Sequence, residues 1–335
     1  MTIKDIAKLS GYGIGTVSRV INNQPGVSDK AKKKIQKVIE ESNYEPNESA
    51  RSLKRRGSDA IGIIIKGNQN LFFAEVLEKI QNNLLRYNED VIVQYIGEDD
   101  DEVEAALSLL KNRFPKGIMF LGADLSMYDE RVKDIHIPCV IVTTDGKSLK
   151  YDNISSVSID DEKATYEMMK RLIERGHRKI GVVGGKLSDN RISSSRFRGC
   201  KKCMNEYGLD LELDSNYIPC EYNIEAGYEA TKHLLDNSSG LTAIFAMSDT
   251  IALGVMRGIA DRGFRVPEDI SVAGFDGISL TSFSIPRLST VRQSIELLAN
   301  RSVSLLLERT HYDIGSVHEK VAFEIIERES IMDLK

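Results

Sequence analysis

Apolar residues in the first forty positions recur at helical spacing in three short sets. Within each set the apolar side chains lie three or four residues apart, which is the pattern of a helix with one buried face. A glycine-containing turn, "SGYG", separates the first two sets, and a Pro-Gly turn followed by Ser28, a suitable helix N-cap, precedes the third. The sets are Ile3, Ile6 and Ala7; Val17, Val20 and Ile21; and Ala31, Ile35, Val38 and Ile39. The pattern predicts a three-helix module with a small core.

From residue 60 onward, short continuously apolar segments alternate with longer amphipathic ones. Segments such as "AIGIIIK", "DVIVQYIG", "GIMFLG" and "IPCVIVT" are typical of buried strands, and helical patterns such as "FFAEVLEKIQNNLL" lie between them. A second series, with "KIGVVGG", "AIFAMSD" and "ISVAGFDG" as strands, follows. Buried strands that alternate with helices predict parallel sheets. Two series predict two similar lobes, as in periplasmic sugar-binding proteins.

Composition narrows the classes of protein to consider. The 335 residues contain no run of about eighteen apolar residues that would span a membrane, and the N-terminal segment lacks the apolar core of a secretion signal. Four cysteines in a chain of this length do not suggest a disulfide framework. We therefore expect a cytoplasmic protein that does not associate with a membrane.

The net charge of −5 conceals an asymmetry along the chain. Residues 1–60 carry 12 basic and 7 acidic side chains, a net charge of +5, and the remainder carries −10. A basic head on an acidic body suggests that the head binds a polyanion. Charge alone would equally fit a solvated basic face.

The second predicted helix, "IGTVSRVIN", has polar groups suited to DNA. In a helix-turn-helix the N-terminal residues of the second helix meet base edges, while neighbouring hydroxyls and amides bind phosphates. Thr16, Ser18 and Asn22 have the chemistry for phosphates, and Arg19 can pair with a guanine or a phosphate. The side chains expected on the outer face are Ile14, Gly15, Ser18, Arg19 and Asn22.

The segment "TIKDIAKLSGYGIGTVSRVINN", followed by "VSDKAKKKIQKVIEESNYEPNESARSL", resembles the headpiece of the lactose/galactose repressor family of bacterial transcription regulators. The resemblance extends over essentially the whole chain and implies a homodimer that binds pseudo-palindromic operator DNA without a cofactor. Family members usually carry a capping serine where this chain has Gly13. At the two specificity positions, Ile14 and Gly15 imply readout by apolar contact and close backbone approach.

The basic segment "PNESARSLKRR" resembles the family's hinge helix, which folds only on DNA because it buries too little apolar area to offset its ordering entropy. The resemblance implies that Leu53 from each subunit inserts into a base step in the minor groove and kinks the duplex. An ordinary flexible linker is the alternative. The residues expected to contact DNA are Ile14, Gly15, Thr16, Ser18, Arg19, Asn22, Ser28, Ala50, Arg51, Leu53 and Lys54.

The predicted fold class is α/β, with an all-α helix-turn-helix headpiece and a two-lobed, periplasmic-binding-protein-like core of parallel sheets. The headpiece is expected at residues 1–46, the hinge helix or linker at 47–58 and the effector-binding core at 59–335. Within the core, we expect lobe one at 59–160 and 292–320, and lobe two at 161–291 and 321–335.

Polar groups follow the predicted strands of the core, where ligands bind in parallel sheets. The resemblance implies that Arg196 and Asp276 bind vicinal hydroxyls of a sugar and that Tyr222 stacks on it. Phe72 and Phe73 would close over it from the opposite lobe. An arginine beside an aspartate suits neutral polyols, because the pair offers both donors and acceptors.

Two further positions complete the expected effector site. Ser248 ends "IFAMS", where many family members carry Asn, and Asn190 follows "GVVGGKLSD", where a purine-binding relative would carry Arg. The predicted effector is therefore a sugar or a sugar phosphate. The identity of the effector and the sign of its effect stay open. So does a phosphocarrier protein as co-regulator, which the catabolite-control branch of the family uses.

Other motifs point away from catalysis. The "CKKC" segment (Cys200, Cys203) has metal-ligand spacing but lacks a second ligand pair, so buried or surface thiols are expected instead of zinc. "GVVGGK" is one residue short of a P-loop and lacks the following Ser or Thr.

The alternative function is a cytoplasmic sugar-binding protein or sugar-modifying enzyme that does not act on DNA. Residues 1–56 decide against this alternative, because neither a sugar-binding protein nor a sugar-modifying enzyme needs a DNA-binding headpiece. The C-terminal segment has no leucine heptads, so a dimer is expected.

Overall fold

The computed structural model describes residues 3–21, 27–42, 59–67, 70–188, 191–213, 215–312 and 314–334. The chain divides into two compact units, Met1–Gly57 and Ser58–Lys335. Among the described residues, no helix is both long and apolar enough to cross a membrane.

The first unit contains the three helices that the apolar spacing predicts. They are α1 (Ile3–Ser10), α2 (Ile14–Ile21) and α3 (Asp29–Glu41). Ile6, Val17 and Ile35 are fully buried at the centre of their shared core. Gly11 ends α1 with φ +73°, a conformation that favours glycine, and its N–H donates to the Ala7 carbonyl. The helix-turn-helix interpretation of this segment is confirmed.

Lobe one of the second unit is built on a six-stranded sheet in the order β11-β5-β4-β3-β1-β2. All of its neighbouring strands are parallel. The strands are β1 (Ile61–Lys66), β2 (Val91–Ile96), β3 (Gly117–Leu121), β4 (Cys139–Val142), β5 (Ile154–Ser158) and β11 (His318–Lys320), and the helices are α4 (Leu71–Arg86), α5 (Glu102–Arg113) and α10 (Ile295–His311). Helices α4 and α10 pack on one face of the sheet, and α5 packs on the other.

Lobe two repeats this plan with the strand order β12-β10-β9-β8-β6-β7. Only the β10–β12 pair is antiparallel among the described strands of this sheet. The strands are β6 (Ile180–Gly184), β7 (Tyr217–Pro219), β8 (Ala243–Ala246), β9 (Ser271–Asp276), β10 (Ser289–Gln293) and β12 (Phe323–Ile326), and the helices are α6 (Asp161–Glu174), α7 (Ile192–Glu206), α8 (Ile224–Asn237) and α9 (Asp249–Asp261). Helices α6 and α7 cover one face, and α8 and α9 cover the other.

The chain passes between the two sheets three times. The crossings follow β5, β10 and β11, so each lobe is assembled from separate stretches of sequence. The lobe boundary expected before residue 292 falls inside β10, because that strand continues its pairing with β12 through Gln293. The predicted α/β class with a two-lobed core is confirmed.

Candidate effector site and DNA-binding headpiece

A cleft lies between the two lobes, beyond the carboxyl ends of β1, β4, β6 and β9, and encloses about 900 Å³ of space that is partly open to solvent. Parallel strands end at the same edge of a sheet, so the loops that follow them meet there. The residues expected at the effector site that line this cleft are Phe72, Phe73, Arg196, Tyr222 and Asp276. The structure thus brings five of the seven expected effector residues together.

Arg196, in the first turns of α7, is buried at the floor of the cleft with its guanidinium held on several sides. Its Nε donates to Asp161 Oδ1 at 2.9 Å, and its Nη1 donates to the carbonyl of Met247. The guanidinium carbon lies 3.7 Å from the centre of the Phe275 ring. The Nη2 nitrogen lies 3.6 Å from Asp276 Oδ1, too far for a strong hydrogen bond. The guanidinium therefore has a fixed orientation with one nitrogen directed toward Asp276.

Asp276 ends β9 in a left-handed backbone conformation, with φ +115°. A positive φ is uncommon for a residue other than glycine and marks strain at functional sites. Gln293 Nε2 donates to Asp276 Oδ1 at 2.8 Å, and none of the described residues donates to Oδ2. Burial raises the pKa of Asp276 to about 7, although the charge of Arg196 opposes this shift. The second carboxylate oxygen is available to a ligand hydroxyl.

The turn after Asp276 is held by Asp249, which was not among the residues expected to bind the effector. Asp249 Oδ2 accepts the backbone N–H groups of Gly277 and Ile278 at 2.6 and 2.9 Å, and its Oδ1 accepts the Thr290 hydroxyl at 2.6 Å. Asp249 is completely buried. These hydrogen bonds stabilise the strained turn that places Asp276 in the cleft.

Two of the expected effector residues are not brought to the cleft by the described structure. Ser248 is completely buried, is absent from the cleft lining, and caps α9 by accepting the Ile251 N–H at 3.1 Å. A serine before a helix commonly has this role, and the pattern "SDTIAL" carried that signal. Asn190 lies outside the described residues.

Aromatic side chains form the walls of the cleft. Tyr222 comes from lobe two, and its hydroxyl lies 3.0 Å from Ser193 Oγ. Phe72 and Phe73 come from the start of α4 in lobe one; Phe72 is buried, whereas Phe73 is half-buried beside Gly122. A Cβ atom on Gly122, where φ is +78°, would lie 2.6 Å from Phe73 Cε2, so a side chain there would displace the ring.

Ion pairs connect the lobes at the rim of the cleft. Arg191 of lobe two donates from Nε to Asp124 Oδ2 of lobe one at 2.7 Å, and its Nη2 lies 3.4 Å from Asp99 Oδ1. Lys186 Nζ donates to Asp99 Oδ2 at 3.2 Å. Asp99 belongs to the acidic run "EDDDE" at residues 98–102, which was the signal in the sequence for this interaction.

A buried ion pair underlies lobe one's side of the cleft. Lys66, at the end of β1, contacts Glu102 with 2.5 Å between Nζ and Oε2. Glu102 Oε1 accepts the Asp124 N–H at 2.6 Å. Burial raises the pKa of Glu102, although the charge of Lys66 opposes this. Lys66 and Glu102 lie 36 positions apart in the sequence. Glu102 ends the acidic run "EDDDE", but no pattern in the sequence pairs it with Lys66.

In the first unit, α2 presents Gly15 and Arg19 to solvent, and Thr16 is half-buried. Ile14 and Ser18 lie on the same helix. Ser28 is exposed and caps α3, with its Oγ 3.4 Å from the Ala31 nitrogen. The remaining residues expected to contact DNA lie outside the described residues: Asn22, Ala50, Arg51, Leu53 and Lys54.

The two cysteines of the "CKKC" segment face the core of lobe two from α7. Burial raises the pKa of Cys203 to about 12 and raises that of Cys200 as well. Their thiols pack as apolar groups in this core.

A basic helix-turn-helix unit together with a two-lobed, polar-lined cleft defines a ligand-regulated DNA-binding protein. Residues 2–47 match the bacterial regulatory proteins of the lacI family, and residues 169–331 match the periplasmic binding protein-like domain. The HTH-type transcriptional regulator MalR of Clostridium butyricum is 36% identical over all of both chains. Catabolite control protein A of Priestia megaterium is 31% identical over 99% of this chain and 94% of its own. The chain belongs to the lacI family of bacterial regulatory proteins.

Solved structures agree with this assignment. The Lac repressor dimer bound to operator and the anti-inducer ONPF superposes with a TM-score of 0.77 over 99% of both chains at 24% identity, which shows the fold. The complex of the transcriptional regulator CelR with cellobiose gives a TM-score of 0.71 at 25% identity, covering 98% of this chain and 99% of its own. The chain is a DNA-binding transcriptional regulator with an effector-binding core. Its relatives are regulators as well, which argues against an enzyme.

Proposed function

We propose that this chain represses a carbohydrate-utilisation operon as a homodimer and that a neutral sugar in the cleft between the lobes controls it. The observation that carries the proposal is the placement of Arg196 and Asp276 side by side on the cleft floor. Adjacent sugar hydroxyls both donate and accept hydrogen bonds, and this pair offers one charged donor and one charged acceptor. Tyr222 and Phe73 supply the apolar walls on which a sugar ring packs.

The relatives include regulators named for a sugar and regulators named for a purine. A ribose operon repressor of Haemophilus influenzae is 32% identical over the whole chain, and CelR was solved with cellobiose. A repressor named PurR from Vibrio atlanticus is 33% identical, so a purine base is the competing ligand. Position 190 favours the sugar, because a purine-binding relative would carry Arg where this chain has Asn190.

The dimer proposal rests on an apolar loop between β9 and β10. Leu280, Phe283 and Ile285 are exposed there, and Ile285 is 95% exposed. Large apolar side chains clustered on a surface mark interaction sites. We infer that a second copy covers this loop and that Ile285→Glu lowers the mass measured by sedimentation equilibrium from dimer to monomer.

On DNA, the proposed contacts are those of α2, with Arg19 as the side chain that pairs with a base or phosphate. The hinge at residues 47–58 would fold only on the operator, with Leu53 as the wedge. Effector and operator would favour different angles between the lobes, and a difference in effector affinity of about 3 kcal/mol would change operator affinity about a hundredfold. A regulator that binds operator DNA in a bacterium would act in the cytoplasm, where that DNA lies.

The effector proposal is tested by a thermal-shift screen of the full chain. The panel contains ribose, glucose, maltose and cellobiose, their available phosphate esters, and purine bases. A neutral sugar that binds the folded state should raise the Tm, and the shift should vanish in Arg196→Ala. A shift with purine bases and none with sugars would contradict the proposal.

The DNA proposal is tested by titrating operator fragments at several salt concentrations. About ten phosphate contacts imply a slope of roughly −9 in log K against log salt. Leu53→Ala should weaken operator binding far more than binding to random DNA, since it removes no charge. Leu213→Ala, an exposed leucine of lobe two, is the matched control. Equal losses on both DNAs would show that residues 47–58 are only a linker.

A phosphocarrier protein as co-regulator stays a prediction, supported by the likeness to catabolite control protein A. Sedimentation of the chain with a phosphocarrier protein would test it, because a complex should sediment faster than either component alone.

A further inference from the structure

The cations among the described residues of the cleft lining are all paired with carboxylates of this chain. These described lining residues include four cations and five carboxylates, so they present no net positive charge to a phosphate group. The cations are Lys66, Lys186, Arg191 and Arg196. Sites that bind phosphate usually offer unpaired Arg or Lys side chains or free backbone N–H groups.

At the floor of the cleft the ion pairs between cations and carboxylates are buried. Lys66 is held by Glu102, and Arg196 is held by Asp161 at 2.9 Å, with all four side chains at most 7% exposed. Separating either pair would leave a buried carboxylate without its counter-charge, which is strongly unfavourable. Neither of these floor cations can turn toward a phosphate without that cost.

At the rim, Asp99 and Asp124 of lobe one neutralise the other two cations. Arg191 uses Nε on Asp124 and Nη2 on Asp99, so the paired nitrogens that would grip a phosphate are engaged. Lys186 donates to the second oxygen of Asp99. Asp124 is only 6% exposed, and its other oxygen accepts the N–H and the hydroxyl of Ser126. A phosphate on Arg191 would therefore displace a buried carboxylate.

We propose that Asp99 and Asp124 are specificity-determining residues that reserve the cleft for uncharged sugars by neutralising Lys186 and Arg191, and so exclude phosphorylated sugars. The inference rests on the proposed function, because it concerns the same cleft. Both carboxylates are ionised at neutral pH: hydrogen bonds from Lys186 and Arg191 lower the pKa of Asp99. Burial raises the pKa of Asp124, but hydrogen bonds from Ser126 and the charge of Arg191 outweigh it, and its pKa is lowered.

The test uses inorganic phosphate as the probe, so it does not depend on which sugar binds. The variants are Asp99→Asn and the double variant Asp99→Asn, Asp124→Asn, each compared with the wild type. Inorganic phosphate should leave the Tm of the wild type equal to that in chloride at matched ionic strength. In the double variant it should raise the Tm by about 2 °C or more, because a ligand of the folded state stabilises it.

Two further variants locate the effect. Adding Arg191→Ala to the double variant should abolish the phosphate response. Asp236→Asn is the control, because it also removes one negative charge but from an exposed pair with Arg262 outside the cleft lining. Phosphate should leave the Tm of this variant unchanged, as in the wild type. If the double variant does not fold, the exposed Asp99→Asn carries the test, with a smaller shift that is lost in Lys186→Ala.

Three results would overturn the inference. The first is a rise in the Tm of the wild type with phosphate that Arg191→Ala removes. The second is an unchanged Tm with phosphate in every folded Asp99 variant. The third is a rise in Tm with phosphate that persists after both Arg191 and Lys186 are removed. None of these involves a sugar. A sugar screen without a hit would instead count against the proposed function, so the two failures are distinguishable.

Discussion

The two lobes share one sheet plan but meet the cleft with different surfaces. Lobe two supplies a buried polar floor, in which Arg196, Asp161 and Asp276 hold one another in place. Lobe one supplies the half-buried ring of Phe73 and, at the rim, the exposed carboxylate of Asp99. Lobe two thus presents the Arg196–Asp276 donor and acceptor pair, whereas lobe one presents an aromatic ring and the carboxylates that neutralise the rim cations of lobe two. The following predictions test that division, from the largest expected effect to the smallest.

Replacing Arg196 with alanine should have the largest effect. The change leaves two buried carboxylates without their counter-charge, so we expect a loss of about 3–5 kcal/mol in the free energy of unfolding and sugar binding too weak to measure. Urea denaturation and calorimetry with the sugar from the screen would check both. The control is Arg198→Ala on the same helix as Arg196, which removes an exposed pair with Glu162 of α6. Sugar binding that persists in a folded Arg196→Ala variant would place recognition elsewhere.

Asp276→Asn should weaken sugar binding about ten- to a hundredfold, because a charged acceptor is replaced by a neutral amide. Operator binding without the sugar should stay near the wild-type value, since the residue lies in the core. Calorimetry and fluorescence anisotropy measure the two affinities. An unchanged sugar affinity would mean that Asp276 serves only the turn that Asp249 holds.

Sugar affinity should rise with pH between about 6 and 8, by up to tenfold. The pKa of Asp276 is about 7, and a sugar hydroxyl that donates to its carboxylate favours the ionised form. The same raised pKa means that the folded chain without sugar holds a proton that the unfolded chain releases. The free energy of unfolding should therefore fall as pH rises from the ordinary value of 3.8 toward about 7.

Asp276→Asn is the control for both pH trends, which should become flatter in this variant. Calorimetry at each pH measures the affinity, and urea denaturation measures the stability. A slope that persists unchanged in the variant would assign the titration to another group.

Phe73→Ala should have the smallest effect, weakening the sugar about three- to tenfold through the loss of one apolar wall. Phe264→Ala, a partly exposed phenylalanine of lobe two outside the cleft lining, should leave affinity unchanged. Calorimetry would detect the difference. A loss of sugar affinity as large as that in Arg196→Ala would show that lobe one recognises the ligand as strongly as lobe two.

Local patterns were sufficient for the elements and for the family. The three apolar sets of the headpiece correspond to α1, α2 and α3, and the apolar segments from residue 60 onward correspond to strands. The expectation that "DVIVQYIG" is buried was wrong, because β2 is an edge strand and is only half-buried, with Tyr95 exposed. Ser248 shows the limit of this reasoning. A polar residue after a strand can face a ligand or cap the next helix, and the structure gives this one the second role.

The sequence by itself determined the helices, the strands, the two-lobed α/β class and the residue types available to the cleft, because periodicity and turn residues act over a few neighbouring positions. Only the tertiary structure decided which charges neutralise one another. Arg191 meets Asp99 and Asp124 because loops from two lobes, far apart in the chain, are brought to one rim. Burial, which raises the pKa of Asp276, is likewise a property of packing against distant segments. Whether each cation is free or paired depends on that packing, and so does the charge that a ligand meets.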